Sequence, residues 1–481
     1  MAKVETFCES PRFRGTCYRA ANWRHLGRTG GFARQPGPTP RWRHHGQPKE
    51  VYVYELQPDA RARLSQPADE PDWLSPPKLS PPPSCELRSL YDFLGDVPEF
   101  RSAHGKRYPL QTVLAAAVSA RMAGYRGVTA FGQFAKLLSQ EQLASLDCFY
   151  SPSRQCYTPP STTTFHRILA DLPPDTLQEA LSAWCEHLSA EPEPLPQPAA
   201  ASVPTVLAPV PAVAMDGKDI RGASKQTEQG RRMMVAAVQQ GSGQVLGQVE
   251  TESKSNEIPA VRRLARSLRL AGKVVTMDAL HAQHRTARCL LKECAADYLV
   301  TAVKDNQPTI LDELKDRDFS DGPHVETLEK SHGRIERRRY SVKDLSDKQW
   351  DGYAHLHGRQ MAVRVERERT LVKSGKRSFE VSYALTSLSP ERVTPRQLAA
   401  LIRGHWEIEN RLHYVRDFTY DEDRCRAYVR GLPQNLAGLT NAAVSLIRCR
   451  TRFPYLPVAN RHFAARTDEA LELILTPPQQ R

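Results

Sequence analysis

Two proline-rich stretches decide how this chain can be divided. One is SPPKLSPPPS, around Pro76 to Pro83, and the other is EPEPLPQPAAASVPTVLAPVP, beginning at Glu191. Proline fixes φ and has no N–H to donate, so neither stretch continues a helix or a central strand. Both read as extended linkers. They divide the 481 residues into an arm at 1–84, a segment at 85–190, a linker at 191–210, a long segment at 211–450 and a tail at 451–481. A chain of this length has room for about two to four domains of roughly 100–200 residues.

The pieces differ in pattern. From Pro11 to Pro48 there is no acidic residue, while Arg, His, Gly and Pro recur. That composition predicts a largely disordered basic arm, which either tracks DNA or has no role. Residues 85–190 read as a small helical domain: LQTVLAAAVSARMAGY and TTTFHRILADL repeat apolar residues at helical spacing, behind Pro109 and Pro160–Ser161 as start signals. From Val213 strands and helices alternate. VAMDGKDI is a strand, MMVAAVQQ and QVLGQVET flank GSG as a hairpin, and KVVTMDAL and DYLVTAVK are buried strands separated by helices. This is the order of an α/β sheet. A basic, β-rich stretch at about 323–388, with GRIERRRYSV and MAVRVERERTLV, interrupts it before helices resume at TPRQLAALIRGHWEIENRLHYVRDF.

Charge narrows the partner. Against 54 Asp+Glu stand 67 Lys+Arg, a formal +13, and such an excess favours a polyanion through counterion release. The ten cysteines form no CxxC pair, which disfavours a zinc protein and fits reduced thiols in a cytosolic compartment. No apolar run approaches a membrane span, and no secretory signal opens the chain. The expectation is a soluble intracellular protein with no membrane partner.

Asp216 and Asp278 each close a predicted strand, and carboxylates at strand ends of an open α/β sheet face the crevice where ligands bind. Taken singly, each is more simply a turn former or helix cap. On the helix from Thr394, His405, Glu409, Leu412–His413 and Arg416 share one face, which on its own reads as a solvated surface. Three carboxylates are what two-metal phosphoryl transfer needs. Mg²⁺ takes oxygen ligands and keeps several waters, and two ions about 3.5–4 Å apart stabilise the attacking and leaving oxygens of an in-line displacement. Residues this far apart in sequence do not establish a triad by spacing.

Several phrases, in order, do more. GKRYPL at Gly105–Leu110, PSTTTFHRIL at Pro160–Leu169, MDGKDIRGA, KSNEIPA at Lys254–Ala260, MDALHAQ, YLVTAVKDNQP, SHGRIERR at Ser331–Arg338 and RGHWEIENRLHYVRDFTYDED together resemble the bacterial insertion-sequence transposases of the H-repeat-associated family. The likeness covers roughly residues 86–450. It implies a ribonuclease-H-like catalytic domain interrupted by the β-rich insertion and preceded by the helical domain, which would read the DNA ends. It places the acidic triad at Asp216, Asp278 and Glu409, as both catalytic residues and ligands of two Mg²⁺ (or Mn²⁺) ions. It implies inverted-repeat ends and target DNA as partners, a homodimer in the synaptic complex, and a cytoplasmic, nucleoid-associated bacterial protein. Candidate DNA contacts are Lys304, Arg334, Arg337, Arg338, His405 and Arg416. Where related transposases carry a Tyr, an Arg and a Lys around the Glu, this chain has Ile402, His405 and Arg416. A second acidic cluster, Asp421, Glu422 and Asp423, is the alternative source of a ligand.

Two rivals stand beside strand transfer. A ribonuclease-H-like nuclease would use the same triad without joining ends, and a DNA-binding remnant would keep charge and fold without activity.

Overall fold

The computed structural model describes residues 88–102, 106–189, 210–224, 232–251, 257–331, 333–345 and 356–478. It also describes shorter pieces of the first 55, among them 3–9, 23–28, 32–34, 42–44 and 49–55. The linker at 76–83, and that at 191–210 apart from its last residue, lie outside the described residues. The chain divides into two compact units, 1–74 and 75–481.

The first unit departs from the disordered arm that its composition predicts. Lys3–Glu9, Lys49–Glu55 and Arg24–Arg28 pair antiparallel, with Lys49–Glu55 in the centre, and Phe32–Arg34 pairs with Trp42–His44. The reason is local. KEVYVYE alternates β-branched and aromatic residues, the composition that suits a half-buried strand. Tyr52 is wholly enclosed, stacking on Tyr18 at 5.4 Å. Glu50 draws in His25 at 2.5 Å and Arg28, so the basic side chains of this unit are partly neutralised from within.

The second unit is organised by nine strands: β1 Ala212–Asp219, β2 Met233–Gln239, β3 Val245–Glu250, β4 Val274–Met277, β5 Asp297–Val303, β6 Val325–Ser331, β7 Arg334–Asp344, β8 Met361–Leu371 and β9 Arg377–Thr386. They form one sheet in the order β3-β2-β1-β4-β5-β9-β8-β7-β6. The hairpin β2–β3 turns through Gly241 and Gly243, both at positive φ, where glycine carries no Cβ penalty. β1, β4 and β5 run parallel. Their apolar residues are buried on both faces, as parallel strands covered by helices require. The β-rich stretch is not a separate body. Its last strand, β9, pairs antiparallel with β5, and β6 to β8 extend the same sheet outward. Its many charges are paired both along and across strands. Buried Glu336 is held by Arg338 and by Arg367 at 2.6 Å, and Arg339 reaches Glu326 at 3.0 Å.

Helices cover the sheet and share its core. Ser89, Ser139 and Thr394 each form a capping box with the residue three further on, and Ser161 caps the helix Thr162–Asp171. The helix Leu110–Met122 is buried on every side, which explains its run of Ala and Val. It packs against the equally buried helix Leu432–Arg450. That second helix is also tied down by polar contacts. Asn435 Nδ2 donates to the carbonyls of Leu169 and Leu172 at 2.9 Å, and Ser445 Oγ accepts from Val245 N at 2.9 Å. The helical segment and the sheet therefore belong to one unit. Residues 451–481, read from the sequence as a tail, contain the helices Leu456–Ala465 and Thr467–Leu475, which pack on Leu110–Met122. Among the described residues no helix is long and apolar enough to cross a membrane.

Candidate active site

β1 begins with the buried run Ala212–Met215 and then brings Asp216 out of the core. β4 runs parallel beside it, with Ala214 opposite Thr276. Two residues further on, the strands carry Asp216 and Asp278. Asp278 also has the simpler role its position suggested: its Oδ1 accepts from Leu280 N at 3.0 Å and caps the 3₁₀ turn Ala279–His281. Capping engages one oxygen face and leaves the carboxylate half-exposed, with 46% of the side chain accessible.

Glu409 comes from a helical segment far along the chain. The α-helix Pro395–Gly404 stops, turns at His405–Trp406, and continues as two π-helical turns, Glu409–His413 and Val415–Thr419. The sequence pattern predicts one regular helix here. The wider turns depart from it, as π segments commonly do at functional sites. His413 Nδ1 lies 3.0 Å from Glu409 Oε2 and 3.6 Å from Asp216 Oδ2. One ligand atom from each of Asp216, Glu409 and His413 falls within 4.8 Å of the others.

Asp278 is outside that group but has a cluster of its own. His281 is fully buried, and its Nε2 is 3.8 Å from both Asp278 Oδ1 and Glu257 Oε2. The Glu257 carboxylate rests on Gly217, the residue after Asp216; a Cβ there would meet the Glu257 carboxyl carbon at 2.2 Å. Glu257 and His281 were not picked out from the sequence, although both lie inside quoted motifs. The available signal was spacing: an acid and a His three apart (Asp278, His281) and four apart (Glu409, His413).

The electrostatics follow from crowding. Burial pushes the Asp216 carboxyl up to about 6, with Asp278 and Glu257 adding to the rise while His413 opposes it. The hydrogen bond from His413 holds Glu409 below the usual carboxylate range. Oxygen donors with a flanking imidazole suit Mg²⁺ or Mn²⁺ better than a soft metal. The His413 nitrogen that faces both carboxylates is Nδ1, while Nε2 is buried with no hydrogen-bond partner among the described residues.

The candidate DNA contacts separate into two sets. Lys304 is exposed at the end of β5, in a turn fastened beside Asp278 by Asn306 Nδ2, which donates to Ala279 O at 2.8 Å. Arg334 and Arg337 are partly exposed on β7, near Glu336 and Glu326. The other three are turned inward. Arg338 is buried on Glu336. His405 is buried beside Thr276 Oγ1 at 3.2 Å, and burial brings its imidazole down to about 4. Arg416 is wholly buried and bound to Glu422 at 2.6 and 2.7 Å. The second acidic cluster is likewise committed elsewhere, with Glu422 on Arg416, Asp423 on Arg221 at 3.3 Å and Asp421 near Arg126 at 3.5 Å.

Comparison with known proteins fits this layout. A family model described as "Transposase DDE domain" matches residues 209–434, and one described as "DDE_Tnp_1-associated" matches 91–185. YncI of Escherichia coli O157:H7 is 32% identical over 244 residues, which is 49% of this chain and 61% of that protein. YbfL and the H repeat-associated protein YhhI, both of Escherichia coli strain K12, are 26% and 25% identical over 75% of this chain and 91% of their own length. YncI and YhhI carry provisional transposase names. A solved piggyBac transposase synaptic complex with hairpin DNA overlaps 80% of this chain and 77% of its own at 10% identity, with a TM-score of 0.35, too loose an overlap to carry a statement of fold. Both segments are matched in sequence order by models of the DDE transposase family, and relatives align along three quarters of the chain, so this chain is similar to DDE transposases.

Proposed function

We propose that this protein cuts DNA at the inverted-repeat ends of an insertion sequence and joins the freed ends to target DNA, with Asp216, Asp278 and Glu409 holding two divalent ions. The observation that carries the reading is the meeting of Glu409 with Asp216, 193 positions earlier in the chain, beside a parallel strand that ends in Asp278. The strand order supports a ribonuclease-H-like core: an antiparallel β3-β2-β1 ribbon followed by parallel β4 and β5, to which β6–β9 are added.

When bound, Mg²⁺ or Mn²⁺ supplies Lewis-acid stabilisation of phosphoryl oxygens and activation of water or a 3′-hydroxyl. The chain's own residues do the positioning. Asp216 presents its carboxylate from β1 and Glu409 from the π-helical turn, and the hydrogen bond from His413 fixes the Glu409 rotamer. Asp278 is held by its cap to Leu280 N. Lys304, Arg334 and Arg337 supply positive charge that positions phosphates without choosing sequence. Two ends have to be brought together before joining, so the working form is a homodimer on DNA.

The test uses purified protein and labelled DNA carrying the element's ends, with Asp216→Asn and Glu409→Gln alongside. Mg²⁺-dependent nicking and joined products that vanish in both variants are the expected result. Cleavage without joined products would replace the proposal with a nuclease, and salt-sensitive binding without cleavage would replace it with an inactive remnant.

A further inference from the structure

The phrases MDGKDIRGA and RDFTYDED hold charges that the proposed metal site does not use: Lys218 and Arg221 in the first, Asp417 and Asp423 in the second. The fold sets them against each other. Lys218 is buried, and its Nζ lies 2.5 Å from Asp417 Oδ1 and 3.9 Å from Asp423 Oδ1. Among the described residues no hydrogen bond reaches either oxygen from elsewhere. Asp423 turns its other oxygen to Arg221 at 3.3 Å.

A lysine ordinarily extends its flexible stem until the ammonium meets water, and one that stays buried needs an acid beside it. Neutralisation explains an acid near Lys218 but not where the pair sits. Lys218 is two residues after Asp216 on β1, so both side chains leave the same face of the strand. Asp417 is four residues after His413 in the π-helical segment, about one turn further on. His413 Nδ1 in turn lies 3.6 Å from Asp216 Oδ2. Strand and segment therefore meet in two successive rungs, Asp216 with His413 and Lys218 with Asp417. The charges alternate along each side, acid then base on β1, imidazole then acid on the segment. A slip of one helical turn would set Asp417 against Asp216, bringing two carboxylates together. The register seen here is the one that brings Glu409 to Asp216.

We propose that Lys218 and Asp417 are positioning residues for the metal site: their ion pair fixes the register of the Glu409 segment against β1, so that Asp216 and Glu409 face one ion together. Neither residue touches the ion. The proposal rests on the metal-dependent reading of Asp216 and Glu409.

Equilibrium Mn²⁺ binding to the full chain, followed by electron paramagnetic resonance of the free ion, tests the assignment without relying on catalysis. Lys218→Met and Asp417→Asn should each weaken Mn²⁺ binding by about 10–100-fold, the range for residues that orient metal ligands. Lys218→Arg, which keeps the charge, should recover most of that loss. Each single change also strips a partner from a buried charge and lowers stability, so the pair is removed together as well. Lys218→Met combined with Asp417→Leu should return the urea midpoint close to that of the unaltered protein, while Mn²⁺ binding stays weak. A pair that only neutralises charge would instead leave Mn²⁺ binding in the double variant equal to that of the unaltered protein. That result, with Asp216→Asn and Glu409→Gln losing the ion, would overturn this inference alone. If the double variant does not fold, unchanged Mn²⁺ binding in Asp417→Asn overturns it equally. Unchanged binding in Asp216→Asn and Glu409→Gln as well would overturn the metal-dependent reading beneath it.

Discussion

Arg416 donates two hydrogen bonds, of 2.6 and 2.7 Å, to the two carboxylate oxygens of Glu422, six residues further along the chain. Arg416 is fully enclosed and Glu422 nearly so. Removing one partner leaves the other as an unpaired buried charge, so Glu422→Gln should cost about 3–5 kcal/mol. Burial alone would push the Glu422 carboxyl up, but Arg416 outweighs it and holds the carboxyl below the usual range. A carboxylate whose folded-state pKa is depressed contributes stability that is present above its ordinary value of 4.5 and lost as pH falls below it. Urea unfolding below pH 4.5 should therefore show a steeper acid loss in the unaltered protein than in Glu422→Gln. An equal slope would show that the pair contributes nothing to acid stability.

His405 gives a second acid transition, in a different window. Burial, chiefly, and the neighbouring His281 and His413 lower its pKa from 6.5 to about 4. The folded state thus holds His405 neutral where the unfolded chain would protonate it. The associated stability is complete above about pH 6.5 and lost between that value and about 4, up to roughly 3 kcal/mol at 1.36 kcal/mol per pH unit. His405→Gln keeps a donor for Thr276 Oγ1 and should flatten the slope of unfolding free energy between pH 6.5 and 4. A slope that survives the substitution would assign it to other groups.

These residues mark where reading the sequence stops. The strands KVVTMDAL and DYLVTAVK, the β2–β3 hairpin and the strand end before Asp278 were legible because apolar runs and turn residues act locally, whereas Asp216, read as closing its strand, lies inside it, since β1 stays paired as far as Asp219. The inward placement of Arg338, His405 and Arg416 was not, since a charged residue type does not reveal a partner such as Glu336 or Glu422 across a fold. Glu257 was hidden for the same reason: its neighbour Gly217 is 40 positions earlier. The strand KEVYVYE was masked by the Arg, Gly and Pro content around it, and averaging over the arm concealed a seven-residue signal.

The C-terminal helices carry a stability prediction. Phe463, 1% exposed, sits on the helix Leu456–Ala465. Arg450 fastens the chain just after the helix Thr467–Leu475 by donating to the carbonyls of Thr476 and Pro477, each at 3.2 Å. A dispensable tail would tolerate Phe463→Ala. A packed element should lose about 3–5 kcal/mol, read as a fall in the urea midpoint with an unchanged denaturant slope. A midpoint within error of the unaltered protein would mean that this segment is not part of the cooperative core.

The last prediction separates charges that meet DNA from charges that hold the fold. Arg337 and Arg338 are adjacent on β7, so their side chains leave opposite faces of the sheet. Arg338 is buried on Glu336, whereas Arg337 is partly exposed beside Glu326, and Lys304 is exposed next to the Asp278 turn. A phosphate contact contributes through counterion release, so Lys304→Ala and Arg337→Ala should each weaken binding to any duplex. Each should also reduce the slope of log affinity against log salt by about 1. Neither should move the urea midpoint. Arg338→Ala should do the reverse, lowering stability on the order of 2 kcal/mol by stripping a partner from a buried carboxylate while leaving the salt slope as it was. If Arg338→Ala changed the slope and Arg337→Ala did not, the DNA-facing side of this ribbon would be the opposite one, and β7 would have to turn over when the protein binds.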